Sequence, residues 1–179
     1  MKAAVALLVF ALATALPADS LYRLDLELTG QSGAAVRFEE AAKGPAMVSM
    51  FYASCPHTCP IIVTSIRLIE QQLAPEEREK VRVLMVSFDP ERDTPEKLMT
   101  VAKDHRVDLS RWTFARAEPG DVRLLAAALD VRYRQLPDGE FNHSAMITLI
   151  DRDGRPVKRT SRLGEPDPEF VAAVRDSVK

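Results

Sequence analysis

The sequence predicts an α/β fold with a central mixed sheet flanked by helices and an N-terminal strand hairpin. Residues 47–52 form a continuous apolar run, as expected of a strand buried on both faces, and the largely apolar run 81–88 reads as another strand. Each run gives way to a segment of helical period. Upstream of both, two short alternating stretches flank a glycine-bounded turn. At 179 residues the chain suits one domain with a sizeable core.

Leu24, Leu26 and Leu28 alternate with charged residues, the pattern of a half-buried strand. Gly30 and Gly33 bound a turn, and Val36 and Phe38 open a second strand. The run at 47–52 leads directly into Ser54-Cys55-Pro56-His57-Thr58-Cys59-Pro60. From Pro60 onward Ile61, Ile62, Ser65, Leu68, Ile69 and Leu73 share one broad helical face, and Pro60 suits the first turn, where its missing N–H costs nothing. After the strand at 81–88, Thr94 caps a helix that Pro95 opens and that runs to about His105. A short strand near Phe114 precedes a helix over 121–129. Residues 145–150 and 157–163 read as strands joined by an Asp153-Gly154 hairpin turn, and Asp167-Pro168 opens a last helix reaching Val178. That order matches a thioredoxin-like plan. Its reactive segment lies where a central strand hands over to a helix, a favoured position for ligand sites in open sheets.

The first residues form a different kind of segment. Met1 and Lys2 precede an apolar run to Leu16, then Pro17, Ala18 and Asp19. A positive start, a short hydrophobic stretch and small residues describe a secretory signal peptide. The run falls short of the ~20 residues a spanning helix needs. We expect a signal peptide over 1–18, a single domain over 19–179 and a periplasmic location. The net charge of −2, with both signs interspersed, gives no electrostatic case for nucleic acid as a partner.

The chain has two cysteines, and they lie close together. A disulfide closing so small a loop would remove only ~2 kcal/mol of unfolded-state entropy, a weak return for a purely structural bridge. A thiol at a helix start sees unpaired N–H groups, which favour thiolate and lower its pKa. Thiolate is both a nucleophile and a soft-metal ligand. Redox chemistry and metal binding therefore both remain open at this point. Three residues separate Cys55 from Cys59, which lets the sulfurs splay around a metal without forbidding a disulfide. Two sulfurs cannot build a four-sulfur zinc site, whereas two sulfurs and an imidazole would suit copper. His57, His105 and His143 are the histidines available. Position alone does not choose among them.

The segment Phe51-Tyr52-Ala53-Ser54-Cys55-Pro56-His57-Thr58-Cys59-Pro60 resembles the F/Y-x-x-C-P-x-x-C-P signature of the SCO/SenC family. Val86-Ser87-Phe88-Asp89-Pro90-Glu91-Arg92-Asp93-Thr94-Pro95 resembles that family's strand-end motif, and His143-Ser144 with Ile147-Thr148-Leu149-Ile150-Asp151 resembles its histidine block. The resemblance implies a thioredoxin-like fold and copper, as Cu(I) or Cu(II), held by Cys55, Cys59 and His143. It implies a role in maturing the binuclear copper site of cytochrome c oxidase or a related respiratory enzyme. The implied partner is that enzyme's copper-binding subunit, with periplasmic copper donors upstream. The alternative activity is thiol–disulfide reduction of that site's cysteines by Cys55 and Cys59 as a redox pair. Asp89 matches a strand-end acid and takes a supporting role.

Two positions depart from the family pattern. His57 stands where Asp is common and would act as a spare ligand or a neighbour of the thiolates. Asn142 stands where Asp is common before the histidine, removing a charge that could orient the imidazole. A hairpin would carry His143 across to the sulfurs. Met47, Met50, Met85, Met99 and Met146 fall inside expected strands and a helix and read as core packing rather than thioether ligands. The segment Asp151-Arg152-Asp153-Gly154 lacks the further ligands of a calcium loop and reads as a turn. A peroxiredoxin-like reading is disfavoured by Tyr52, which sits where a peroxidatic threonine would precede the cysteine.

Overall fold

The computed structural model describes residues 20–55 and 58–179. The leader expected at 1–18 and His57 lie outside the described residues. Nine strands and six helices follow in the order β1 (Glu27–Gly30), β2 (Ala35–Arg37), α1 (Phe38–Ala41), β3 (Ala46–Phe51), α2 (Thr58–Gln71), α3 (Pro75–Arg78), β4 (Arg82–Ser87), α4 (Pro95–Asp104), β5 (Trp112–Ala117), α5 (Pro119–Ala128), β6 (Tyr133–Gln135), β7 (Phe141–His143), β8 (Ile147–Ile150), β9 (Pro156–Thr160) and α6 (Pro168–Ser177), counted among the described residues.

Seven strands form one mixed sheet in the order β2-β1-β5-β4-β3-β8-β9. The central strands β3, β4 and β5 run parallel, linked by crossovers through α2 and α4. β3 lies in the middle of the sheet, and every residue of it is buried. Antiparallel strands complete both edges, β8 and β9 on one side and the β1–β2 hairpin on the other. Met47, Met50 and Met85 are buried in this core, where Phe51 meets Phe114 edge-on at 5.4 Å. Packing therefore accounts for these three methionines. At the far end of α2, Glu70 and Arg111 form a buried ion pair at 2.6 Å.

The N-terminal stretch differs from its leucine alternation. Leu24 lies in a 3-10 turn (Leu21–Leu24), and the strand begins only at Glu27. Ser20 caps that turn by accepting from the Tyr22 N–H, Asp25 leaves it at φ 48°, and the Leu21 N–H bonds the Gly154 carbonyl at 2.8 Å. Gly154 must be glycine, since its φ is +75° and a Cβ would approach the Tyr22 ring to 2.7 Å. Phe38, expected in a strand, instead opens α1 and is fully buried. The Asp151 carboxylate accepts from the N–H groups of Asp153 and Arg155, which makes this segment a turn linking β8 to β9.

The small sheet β6–β7 stands apart from the seven-stranded one. It fills the stretch between α5 and β8, where the sequence offers no long apolar run. Among the described residues no helix is long and apolar enough to cross a membrane.

Candidate metal centre

The sulfurs come from the corner where β3 gives way to α2. After Phe51 the chain turns through Tyr52, Ala53 and Ser54 to Cys55. The helix opens at Thr58, so Cys59 sits within its first turn rather than just ahead of it. First-turn N–H groups lack carbonyl partners, and the Cys59 N–H instead approaches Cys55 Sγ at 3.4 Å. Both cysteines are buried and no disulfide joins them. Asp93 fixes the corner from beneath. Its Oδ2 accepts from the Ala53 N–H at 2.8 Å and from the Ser87 hydroxyl at 2.5 Å, tying the cysteine turn to the end of β4. Burial holds the Asp93 carboxyl above its ordinary pKa, against the pull of these two hydrogen bonds.

The imidazole comes from the last residue of β7. Tyr133 of β6 lies opposite His143 in the ladder, and beyond them the Ser144 N–H donates to the Arg132 carbonyl at 2.8 Å. Three-residue strands cannot hold themselves in place, so side chains dock the hairpin. Phe88, at the end of β4, stacks on Tyr133 at 5.2 Å and meets Phe141 at 5.2 Å and His143 at 5.0 Å. Tyr52 meets His143 edge-on at 5.7 Å. Such aromatic pairs contribute ~0.5–1.5 kcal/mol each beyond their burial.

His143 Nδ1 lies 3.1 Å from the Ser144 carbonyl oxygen. A carbonyl can only accept, so Nδ1 carries the proton and Nε2 keeps its lone pair for a metal. The orienting group is thus a main-chain carbonyl, while Asn142 is exposed beside it. That explains how the hairpin manages without an acid before the histidine.

One donor atom each from Cys55, Cys59 and His143 lie within 4.8 Å of one another. Donors ~2.0–2.3 Å from a metal in a trigonal arrangement lie about 3.5–4 Å apart, so a small inward movement completes the site. Two sulfurs and one imidazole are a soft donor set, and the residues fit a soft transition metal. Burial pushes the Cys59 thiol well above its ordinary pKa, and Cys55 and Asp93 nearby add to the shift while a backbone hydrogen bond at Tyr52 opposes it. The sequence expectation of a depressed thiol pKa is corrected here. Desolvation at the corner outweighs the partial charges of the helix terminus. A bound cation would supply the charge that favours thiolate, so metal binding and deprotonation are linked.

The remaining sequence candidates lie elsewhere. Asp89 is buried but pairs with Arg92 rather than turning to the sulfurs. His105 ends α4, on the wall of a small cavity of about 120 Å³ behind Cys55 and Cys59, and is not part of the donor cluster. Sequence reasoning missed Asp93, Arg92 and Glu140. The first two lay in view inside the Asp89-Pro90-Glu91-Arg92-Asp93 run, whereas Glu140 carried no local signal.

The SCO1/SenC family model matches residues 16–179. The chain belongs to the SCO1/SenC family. This SCO1/SenC protein is 28% identical over 120 residues to a protein of Stutzerimonas stutzeri named for copper binding, covering 64% of the chain and 57% of that protein. The chain spans about three fifths of the length of the curated relatives it matches. Among solved structures it resembles Bradyrhizobium japonicum ScoI with copper bound, at TM-score 0.70 and 26% identity over 85% of this chain and 96% of that one. The fold is shared with BsSco, a member of the Sco family of cytochrome c oxidase assembly proteins, at TM-score 0.69 and 20% identity over 86% of this chain and 91% of that one. The mixed sheet flanked by helices is therefore the thioredoxin-like arrangement of this family.

Proposed function

We propose that this SCO1/SenC protein carries a single copper ion between Cys55 Sγ, Cys59 Sγ and His143 Nε2. Its task is to deliver the ion to the binuclear copper site of cytochrome c oxidase or a related respiratory copper enzyme. The observation that carries the reading is the convergence of two buried sulfurs and one imidazole within 4.8 Å, from segments more than eighty residues apart. The copper named for the Stutzerimonas stutzeri relative and present in Bradyrhizobium japonicum ScoI supports the choice of metal. Thiolates select Cu(I), and imidazole also accommodates Cu(II).

Copper is cargo, and the residues divide its handling. Two deprotonated sulfurs around Cu(I) leave a site of net charge −1. The His143 ring, held by the Ser144 carbonyl and the Phe88 and Tyr52 rings, supplies a third donor that leaves first. A recipient's ligand enters the place it vacates. The signal-like leader supports an exported, periplasmic protein. The thiol–disulfide reductase reading is kept second, because the His143 imidazole beside the two sulfurs completes a metal donor set that thiol exchange does not need.

Mixing the copper-loaded reduced protein with the apo copper domain of the oxidase subunit tests this. We expect copper to move and the recipient's absorption bands to grow in step. Restoration of the recipient's thiols with copper left behind on the donor would overturn the delivery reading in favour of the reductase.

A further inference from the structure

The β6–β7 hairpin has no ladder to the main sheet, so its own backbone hydrogen bonds do not determine where His143 sits. Besides the ring contacts of Phe88 and Tyr52, two hydrogen-bonded ties hold it, and neither is made to the His143 ring. Tyr52 lies three residues before Cys55, and Glu140 lies three residues before His143. The Tyr52 hydroxyl donates to Glu140 Oε2 at 2.8 Å, joining the cysteine corner directly to the histidine hairpin. The second tie runs from the loop after β4. Arg92 donates from Nη2 to the Gly139 carbonyl at 2.6 Å, donates from Nε to Asp89, and lies over the Phe141 ring at 5.5 Å from its centroid. Asp89 is itself anchored, its N–H donating to Ser87 Oγ at 3.0 Å. Gly139 has φ +86°, and a Cβ there would approach Arg92 Nη1 to 3.2 Å, so glycine keeps the turn open to the guanidinium.

Both ties therefore grip consecutive residues of the hairpin, Gly139, Glu140 and Phe141, just before the imidazole. One holds from the turn that leads to the sulfurs and the other from the loop after the neighbouring strand.

We propose that the Tyr52–Glu140 and Arg92–Gly139 contacts form a latch that sets how readily His143 swings away from the sulfurs, making Tyr52, Glu140 and Arg92 positioning residues for copper release. The release step rests on the copper reading above, whereas the latch belongs to the metal-free chain. A part-buried side-chain hydrogen bond of ordinary net strength is worth enough that losing it speeds opening by about five- to tenfold.

Tyr52→Phe, Glu140→Ala, the double variant and Arg92→Gln test the latch by two readouts. In the reduced, metal-free protein, hydrogen exchange of the amides at 139–143 should quicken about five- to tenfold in each single variant, with β3 and β4 unchanged. Tyr52→Phe combined with Glu140→Ala should add little to Tyr52→Phe alone, because both remove the Tyr52–Glu140 bond. In the copper-loaded protein, the same variants should still bind a single copper but surrender it to a Cu(I) chelator faster by a similar factor. Wild-type exchange at 139–143 in all variants would overturn the latch, as would quickened exchange spread evenly over the whole sheet. Failure of the wild-type chain to bind copper would instead remove the copper reading, leaving exchange to judge the latch.

Discussion

The two halves of the donor set are held by different physics. Cys55 and Cys59 sit at a corner between a strand buried along its full length and a fourteen-residue helix, and Asp93 pins that corner through main-chain and hydroxyl hydrogen bonds. His143 sits on a three-residue strand outside the main sheet, held by ring contacts and a few side-chain hydrogen bonds. Moving the sulfurs means disturbing the core, whereas moving the imidazole means breaking a handful of local contacts. On the copper-carrier reading proposed above, this asymmetry has a use: firm donors retain the cargo, and a detachable one opens a place for the recipient's ligand.

Substitutions on the two sides should separate accordingly. Cys59→Ala removes a firm donor, and the reduced variant should retain no copper through desalting, as read by metal analysis. Retention equal to wild type would break the comparison at its stronger end. His143→Ala should keep copper on the two sulfurs but bind it more weakly by at least about tenfold, since even outer partners of metal ligands commonly command 10–100-fold. Competition with a Cu(I) chelator measures the difference.

Phe88→Ala acts on the hairpin's seat. Phe88 is buried against Tyr133, Phe141 and His143, so its loss should lower stability by ~3–5 kcal/mol in denaturant unfolding. Copper should remain bound, with faster release. An unchanged release rate would show that the ring supports the core without seating the histidine.

The smallest effect concerns pH. Asp93 has a raised carboxyl pKa in the folded chain, so the native state holds a proton more tightly there than the unfolded chain does. Its contribution to stability is full below the ordinary carboxylate value of ~3.9 and is lost as pH rises through the higher folded value. Asp89 nearby reinforces the shift, and Lys97 opposes it. Asp93→Asn should therefore gain on wild type as pH rises from acid toward neutral in parallel denaturant titrations of the metal-free protein. The opposite trend would mean that the hydrogen bonds from Ala53 and Ser87 outweigh burial.

The same asymmetry explains what the sequence made legible. The strands at 46–51 and 82–87 and the helices opened by Pro95 and Pro168 carry strong local signals, either long apolar runs or a proline at the first helical position, whereas the helix expected over 121–129 begins two residues earlier, at Pro119. The cysteine corner follows from them, because it lies where such a run ends. The hairpin carries no comparable signal. Tyr133, Phe141 and His143 gain meaning only beside Phe88 and Tyr52, which lie far away in sequence. His143 was singled out through its motif, not its periodicity, and Glu140 had no motif to mark it. Leu24 shows the converse, since its alternation was overridden by a tertiary tie between Leu21 and Gly154. The thiol pKa expected at the helix start was likewise reversed by burial that no local pattern reports.

X-ray absorption at the copper edge, on the reduced, copper-loaded protein and on its His143→Ala variant, tests the joint placement of the three donors most directly. Two sulfur scatterers and one nitrogen in the wild-type shell, with the nitrogen alone lost in the variant, is the predicted result. A shell containing only sulfur, identical in both proteins, would contradict a site completed by the hairpin.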